Sequence, residues 1–230
     1  MNVLGVDGTP NGWAVVACKE RQMRVRQIAR LEDIFEQPPY PDIVAVDVPI
    51  GLLDAYEIGG RECDRKARRD LEERGSSVFV PPVRAVLAAR TYEEACAVSR
   101  ASSKHGKALS KQTWGIVPKI KEADDLLRLK PHLRSILREV HPEVCFRELA
   151  GKPMEFAKSK STGRAERRKA LARYFDVDAI IDVGRRERLS VVDTLDALVA
   201  CWSAMRFANG EGRSLVPDEN DDLGLIFAKT

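Results

Sequence analysis

The sequence predicts an α/β protein whose strand-forming ends enclose a charged helical middle. Three observations carry that assignment. The first fifty residues hold four short apolar or alternating runs separated by turn residues. Residues 54–138 are rich in charge at helical spacing. Residues 190–209 form a long helical pattern with small residues beside two aspartates.

Residues 2–7 are short and apolar, and Gly8-Thr-Pro-Asn-Gly12 supplies dense turn chemistry behind them. Residues 13–18 are a second buried strand. Residues 23–28 alternate apolar side chains with Arg and Gln, as an exposed edge strand does. A short helix is expected at 31–36, before Pro38-Pro39. Residues 43–48, Ile-Val-Ala-Val-Asp-Val, are apolar on both faces and belong in the sheet centre.

In the middle segment, residues 61–74 mix six basic with five acidic residues, the pattern of a solvated helix. Residues 75–82 read as a loop or short strand stopped by two prolines. Residues 95–121 carry six Lys or Arg and no acid, with Trp114 among them. An amphipathic helix over 122–138 is interrupted near Pro131. Residues 138–146 read as a strand holding Pro142, which places it at an edge or a strand entry. Residues 158–173 hold seven basic residues and one Glu, on a Ser/Thr/Gly stretch leading into a helix. The helix at 190–209 ends at Asn209-Gly210. A polar loop at 218–222 then precedes a last apolar strand at 223–228. Internal repeats and low-complexity tracts are absent from the sequence. One domain over 1–230 is expected, with its core in 1–53 and 138–230 and a helical insertion at 54–137.

The formal net charge of +3 and a pI near 8.6 are too mild to identify a polyanionic partner. The five cysteines (Cys18, Cys63, Cys96, Cys145, Cys201) are widely spaced without a C-x-x-C pair, and there are three histidines. A structural zinc site and a disulfide framework are therefore not expected. Neither a signal-peptide pattern nor a run of about 18 apolar residues occurs, so a soluble, cytoplasmic protein without a membrane segment is expected.

Asp7 ends the first strand just before a glycine turn, and Asp47 lies near the end of the central strand before Pro49-Ile-Gly51. If those strands are parallel neighbours, both carboxylates emerge at one sheet edge, where α/β proteins place their sites. A charge inside Ile-Val-Ala-Val-Asp-Val is costly unless it is paired or bound to a cation. Asp193 and Asp196 stand three apart on the C-terminal helix and share a face with Ala197, Ala200 and Ala204. Leu195, Leu198, Val199, Trp202 and Met205 form the opposite, packing stripe. Carboxylates gathered at a sheet mouth suit Mg²⁺ or Mn²⁺, which take oxygen ligands. Two such ions roughly 3.5–4 Å apart clamp a scissile phosphate. Ordinary roles compete for each residue. Asp7 is also a plausible turn residue, Asp47 a partner for a buried Arg, and Asp193 the acid of a Ser190-Val-Val-Asp193 capping box.

Gly5-Val-Asp-Gly8 with Gly12-Trp13, Ala45-Val-Asp-Val-Pro-Ile-Gly51, Ser76-Ser-Val-Phe79 with Pro81-Pro82, Gly115-x-x-Pro-Lys119, His141-Pro-Glu143 and Asp193-x-x-Asp196-Ala197 follow one another in this order. Together they resemble an uncharacterised prokaryotic family of predicted nucleases with the RNase H-like fold, carried as a domain of unknown function. More distantly the chain resembles RuvC-type resolvases. These place acids on the first and fourth strands and an acidic pair on the last helix, where Asp7, Asp47, Asp193 and Asp196 fall. The resemblance implies a mixed sheet with its first three strands antiparallel and the next ones parallel, flanked by helices. It also implies Mg²⁺- or Mn²⁺-dependent phosphodiester hydrolysis, inferred in that family from fold alone. In the expected mechanism Asp7 bridges two ions, Asp47 and Asp196 each hold one, and Asp193 supports the pair. Asp47 stands where resolvases often have Glu, and residues 54–138 have no counterpart in minimal RNase H domains. Glu143 is a further candidate, at the mouth of a fifth strand, or else simply marks that strand's start.

A nuclease meets phosphates with Lys and Arg. Lys104, Lys107, Lys111 and Lys119 in the acid-free stretch are candidates for this, with Trp114 to stack on a base. Lys158, Lys160 and Arg164 form a second basic patch. The ordinary alternative for both is a solvated face. The expected partner is nucleic acid, DNA or RNA undecided, and resolvase-like activity would require a dimer. Two rival functions stay open. One is an RNase H-fold binding protein that has lost catalysis. The other is an actin- or sugar-kinase-like phosphotransferase, for which the chain lacks a second Gly-rich phosphate loop.

Overall fold

The computed structural model describes residues 1–215 and 226–228. Its main sheet has five strands: β1 (Asn2–Thr9), β2 (Gly12–Lys19), β3 (Gln22–Ile28), β4 (Ile43–Val46) and β5 (Leu137–Glu139). They run in the order β3-β2-β1-β4-β5. The β1–β2 and β2–β3 pairs are antiparallel, whereas β1–β4 and β4–β5 are parallel. The sheet is therefore mixed, with the three N-terminal strands as a meander and β3 at one edge. The turn between β1 and β2 needs its glycine. Gly12 has φ 133°, and a Cβ there would lie 2.0 Å from the Ile28 carbonyl oxygen.

Seven helices are described: α1 (Glu62–Asp70), α2 (Tyr92–Ala101), α3 (Lys111–Leu129), α4 (Pro142–Ala150), α5 (Ser161–Leu171), α6 (Val177–Arg186) and α7 (Val191–Ala208). Because side chains alternate along a strand, the sheet serves two cores. Val3, Ala14, Val16 and Ala45 face α4–α7. Leu4, Val6, Trp13, Val15, Val44 and Val46 face a layer built by α2, α3 and the short 3-10 turns. The middle segment thus covers one face of the sheet. No helix among the described residues is long and apolar enough to cross a membrane.

Helix α7 starts where the capping pattern places it, the Ser190 hydroxyl accepting from the Asp193 N–H at 3.1 Å. Every residue from Thr194 to Ala204 is buried, so the small-residue side and the Leu/Trp side both pack.

Other elements differ from expectation. The strand expected at 138–146 stops at Glu139, and Pro142 instead opens α4. Proline suits the first turn of a helix as well as a strand edge, since its missing N–H lacks an intrahelical partner there. The helix expected at 122–138 begins at Lys111, capped by Ser110, with Pro118 inside it, and ends at Leu129 before a 3-10 turn, Pro131–Ser135. Residues 61–74 are not a solvated helix: Arg61 and Asp64 are buried. No strand forms at 75–82, where a 3-10 turn, Glu72–Ser77, leads into extended chain. The last strand is β7 (Ile226–Ala228), paired antiparallel with β6 (Gly212–Ser214) in a separate sheet. The loop expected at 218–222 and residues 223–225 of the expected strand lie outside the described residues.

Candidate functional site

Register brings the first two carboxylates together. Val6 pairs with Val46 in parallel β1 and β4, and the Asp47 N–H donates to the Val6 carbonyl at 2.9 Å. Asp7 and Asp47 therefore stand side by side at the carboxyl ends of these strands. Both share the parity of the residues that face α7, Val3 and Ala45.

The third carboxylate arrives because α7 lies against the backbone of β1. A Cβ on Gly5 would fall 2.1 Å from the Ala197 carbonyl oxygen, so only glycine on the strand and alanines on the helix permit this approach. It carries Asp196, 1 % exposed, to the Asp7 end of the strand. The Lys158 ammonium donates to Asp196 Oδ2 at 2.6 Å. Asp196 Oδ1 is buried and has no hydrogen-bond partner among the described residues.

The electrostatics show how closely these groups crowd. Burial, then the charges of Asp196 and Asp47, hold the Asp7 carboxyl well above the usual carboxylate range. Burial pushes Asp47 up to about 6, with Lys158 and a hydrogen bond from Asp7 pulling it back and Glu143 pushing it further. Burial likewise raises Asp196 to about 6, against the pull of Lys158. Burial alone would lower the Lys158 ammonium, yet Asp196, Asp47 and Asp7 together hold it above the usual lysine range.

Asp193 lies one turn earlier on α7, half-buried, and its charge acts on Asp7 less than those of Asp196, Asp47 and Lys158. Glu143 is in the first turn of α4 rather than on a strand. Its charge reaches Asp47 and Asp196, but Arg167 Nη2 donates to both its oxygens, at 2.6 and 2.8 Å. Among the described residues no group of three or more His, Cys, Asp or Glu side chains stands ready-made around a metal position. The oxygen-only character of the Asp7, Asp47 and Asp196 set is nonetheless what hard divalent cations take.

The basic candidates separate into different environments. Lys104 and Lys107 are exposed on the loop after α2, and Lys111 is exposed at the start of α3. Lys119 is not a free surface cation, because its ammonium lies 4.5 Å over the Trp13 ring. Its stem borders Gly8, the residue after Asp7. Trp114 is half-buried against Tyr92, ring centroids 6.3 Å apart, and packs on the core. Lys158 is committed to the carboxylates, while Lys160 is exposed at the start of α5.

The environments of two further residues at this site were not legible in the sequence. Arg167, 1 % exposed, is hidden in a basic run that reads as solvated. His141 stands in a conspicuous motif, but its environment was not legible. Its Nε2 faces the Ser77 carbonyl at 3.3 Å, its Nδ1 is buried without a partner among the described residues, and burial lowers its pKa.

No curated protein and no solved structure matches the chain. A family model does match residues 5–221, so the chain belongs to the DUF429 family, described as a protein of unknown function.

Proposed function

We propose that this protein is a divalent-metal-dependent nuclease with an RNase H-like fold. The observation that carries the proposal is the convergence of Asp7, Asp47 and Asp196 from two parallel strands and a crossing helix, all three raised in pKa by burial. Buried carboxylates pressed together in this way are stabilised by a cation. An antiparallel β1-β2-β3 meander continuing into parallel β4 and β5, with α7 across β1, supports the RNase H-like assignment.

The donor chemistry fits Mg²⁺ or Mn²⁺, and the unpartnered Asp196 Oδ1 is a buried oxygen such an ion would satisfy. Asp7, Asp47 and Asp196 would hold it, with Asp193 in support. A bound ion supplies Lewis acidity at the phosphodiester and charge to offset the carboxylates. The protein's own residues do the rest. The carboxylates would fix the ion's position at the sheet edge, and only through it that of the reacting phosphate. Lys104, Lys107 and Lys111 offer exposed cations to the nucleic-acid backbone.

The test is Mn²⁺ calorimetry on the wild type and on Asp7→Asn/Asp193→Asn, together with cleavage assays on single-stranded DNA, duplex DNA, RNA and branched junctions. Binding lost in the variant and Mn²⁺-dependent cleavage by the wild type are expected. Absence of both in the folded wild type would overturn the proposal. The Lys158–Asp196 ion pair favours a second reading, in which the fold is kept for binding and catalysis is lost. Nucleic-acid binding without cleavage under any divalent ion would support it.

A further inference from the structure

Lys158 was expected to meet phosphates, but the structure commits it to the carboxylates. Its ammonium donates to Asp196 Oδ2 at 2.6 Å, and Asp196 is all but fully buried. Lysine suits such a place, since its ammonium is a compact point charge with three donors that turn freely toward several oxygens.

The backbone around Lys158 is pinned on both sides. Arg167 Nη1 donates to the Phe156 carbonyl at 2.9 Å and to the Gly163 carbonyl at 2.8 Å. The Lys160 N–H donates to the Ala157 carbonyl at 3.0 Å. Gly163 fits directly under this loop: a Cβ there would lie 2.1 Å from the Ala157 carbonyl oxygen. Arg167 is in turn fixed by Glu143, which ties the loop to the helix that follows β5. A lysine that samples phosphates needs no such anchoring, whereas one that must present its charge at a fixed carboxylate does. Glu143 and Arg167 thus hold the backbone on either side of Lys158.

Building on the metal-dependent reading above, we propose that Lys158 is the second cation of this site. The cluster takes one divalent ion beside the ammonium, in place of the two ions expected from the acids alone. Charge is consistent with this. Three ionised carboxylates, Asp7, Asp47 and Asp196, are balanced by one divalent ion and one ammonium, while a second divalent ion would compete with Lys158 for Asp196 Oδ2.

Mn²⁺ titration of the full chain, followed by calorimetry and by electron paramagnetic resonance, tests the proposal. The wild type should bind one Mn²⁺ per chain, with a spectrum free of exchange coupling between ions. Lys158→Met should bind two, with exchange-coupled signals, and Lys158→Arg should again bind one. Lys158→Gln serves as the neutral variant if Lys158→Met does not fold by circular dichroism. Two ions in the wild type, or one in the folded neutral variant, would overturn the role of Lys158 while leaving the metal site in place. Binding by neither the wild type nor the variants would overturn the metal-dependent reading itself, and this role with it.

Discussion

Gly5 and Cys201 meet backbone to backbone: a Cβ added to Gly5 would lie 2.0 Å from the Cys201 amide nitrogen. This contact sets the distance between β1 and α7, and with it the distance between Asp7 and Asp196. Neither neighbour is a flexible side-chain end, so nothing gives way locally.

Gly5→Ala is therefore expected to push α7 off the sheet. The cost should be about 3 kcal/mol, at the upper end for overpacking, because the clash falls on helix backbone. Urea denaturation measures the loss. Mn²⁺ affinity should fall further than in an equally destabilised variant remote from the site. Unchanged stability would mean that α7 does not sit on β1 as described.

The raised carboxylates make a prediction about pH in the metal-free protein. Asp47 and Asp196 move from 3.8 to about 6 on folding, so the folded state binds protons more readily than the unfolded one. Their stabilising contribution is complete below the ordinary carboxylate pKa and is lost as pH rises through about 6. His141 acts in the opposite sense. Burial lowers its pKa, so its contribution is present above the ordinary histidine value and is lost as the medium becomes acid. Comparison with Asp196→Asn separates the two. The variant should gain on the wild type by on the order of 1–2 kcal/mol between pH 5 and 8, measured as Tm without divalent ions and with chelator present. A pH-independent difference would show that Asp196 is not under this pressure.

Arg61 predicts a purely structural effect. Its guanidinium pairs with Asp64 at 2.7 Å and Glu139 at 2.6 Å, all three side chains being less than a tenth exposed. Glu139 in turn accepts from the Ile50 N–H at 2.7 Å, three residues past Asp47. Arg61→Met leaves two buried carboxylates without their cation, which should cost about 3–5 kcal/mol in urea denaturation. Adding Glu139→Gln should recover part of that loss, since one of the stranded charges is then gone.

The main strands and the principal carboxylates were legible because both follow from short-range rules. Alternation along β1 and β4 puts Asp7 and Asp47 on one face, and Asp196 shares its helix face with Ala197 and Ala200, whose backbone meets Gly5. Arg61 and Arg167 were illegible for the opposite reason. A buried guanidinium within a run of mixed charge has the same local pattern as a solvated one, and its partners, Glu139 and Glu143, are 78 and 24 residues away. Pro142 left the same ambiguity, being compatible with a strand entry and a helix start alike. Lys158 looked like its neighbour Lys160. Only the tertiary anchoring of its loop distinguishes a lysine that neutralises carboxylates from one that faces solvent.

On the proposed function, that distinction predicts how binding to nucleic acid would divide among the basic residues. Lys104, Lys107 and Lys111 are exposed, so replacing all three by Ala should weaken binding to single-stranded oligonucleotides uniformly across sequences. It should also reduce the slope of log K against log salt by about 2, at roughly 0.7 per phosphate contact on a single strand. Mn²⁺ binding and Tm should not move. Lys119→Ala should behave oppositely. Its ammonium sits over Trp13 and its stem against Gly8, so stability should fall while the salt slope stays near the wild-type value. Fluorescence anisotropy across a salt series distinguishes the two variants. An unchanged slope in the triple variant would remove this stretch from the proposed nucleic-acid surface and leave Lys160 and Arg164 as the cations to test.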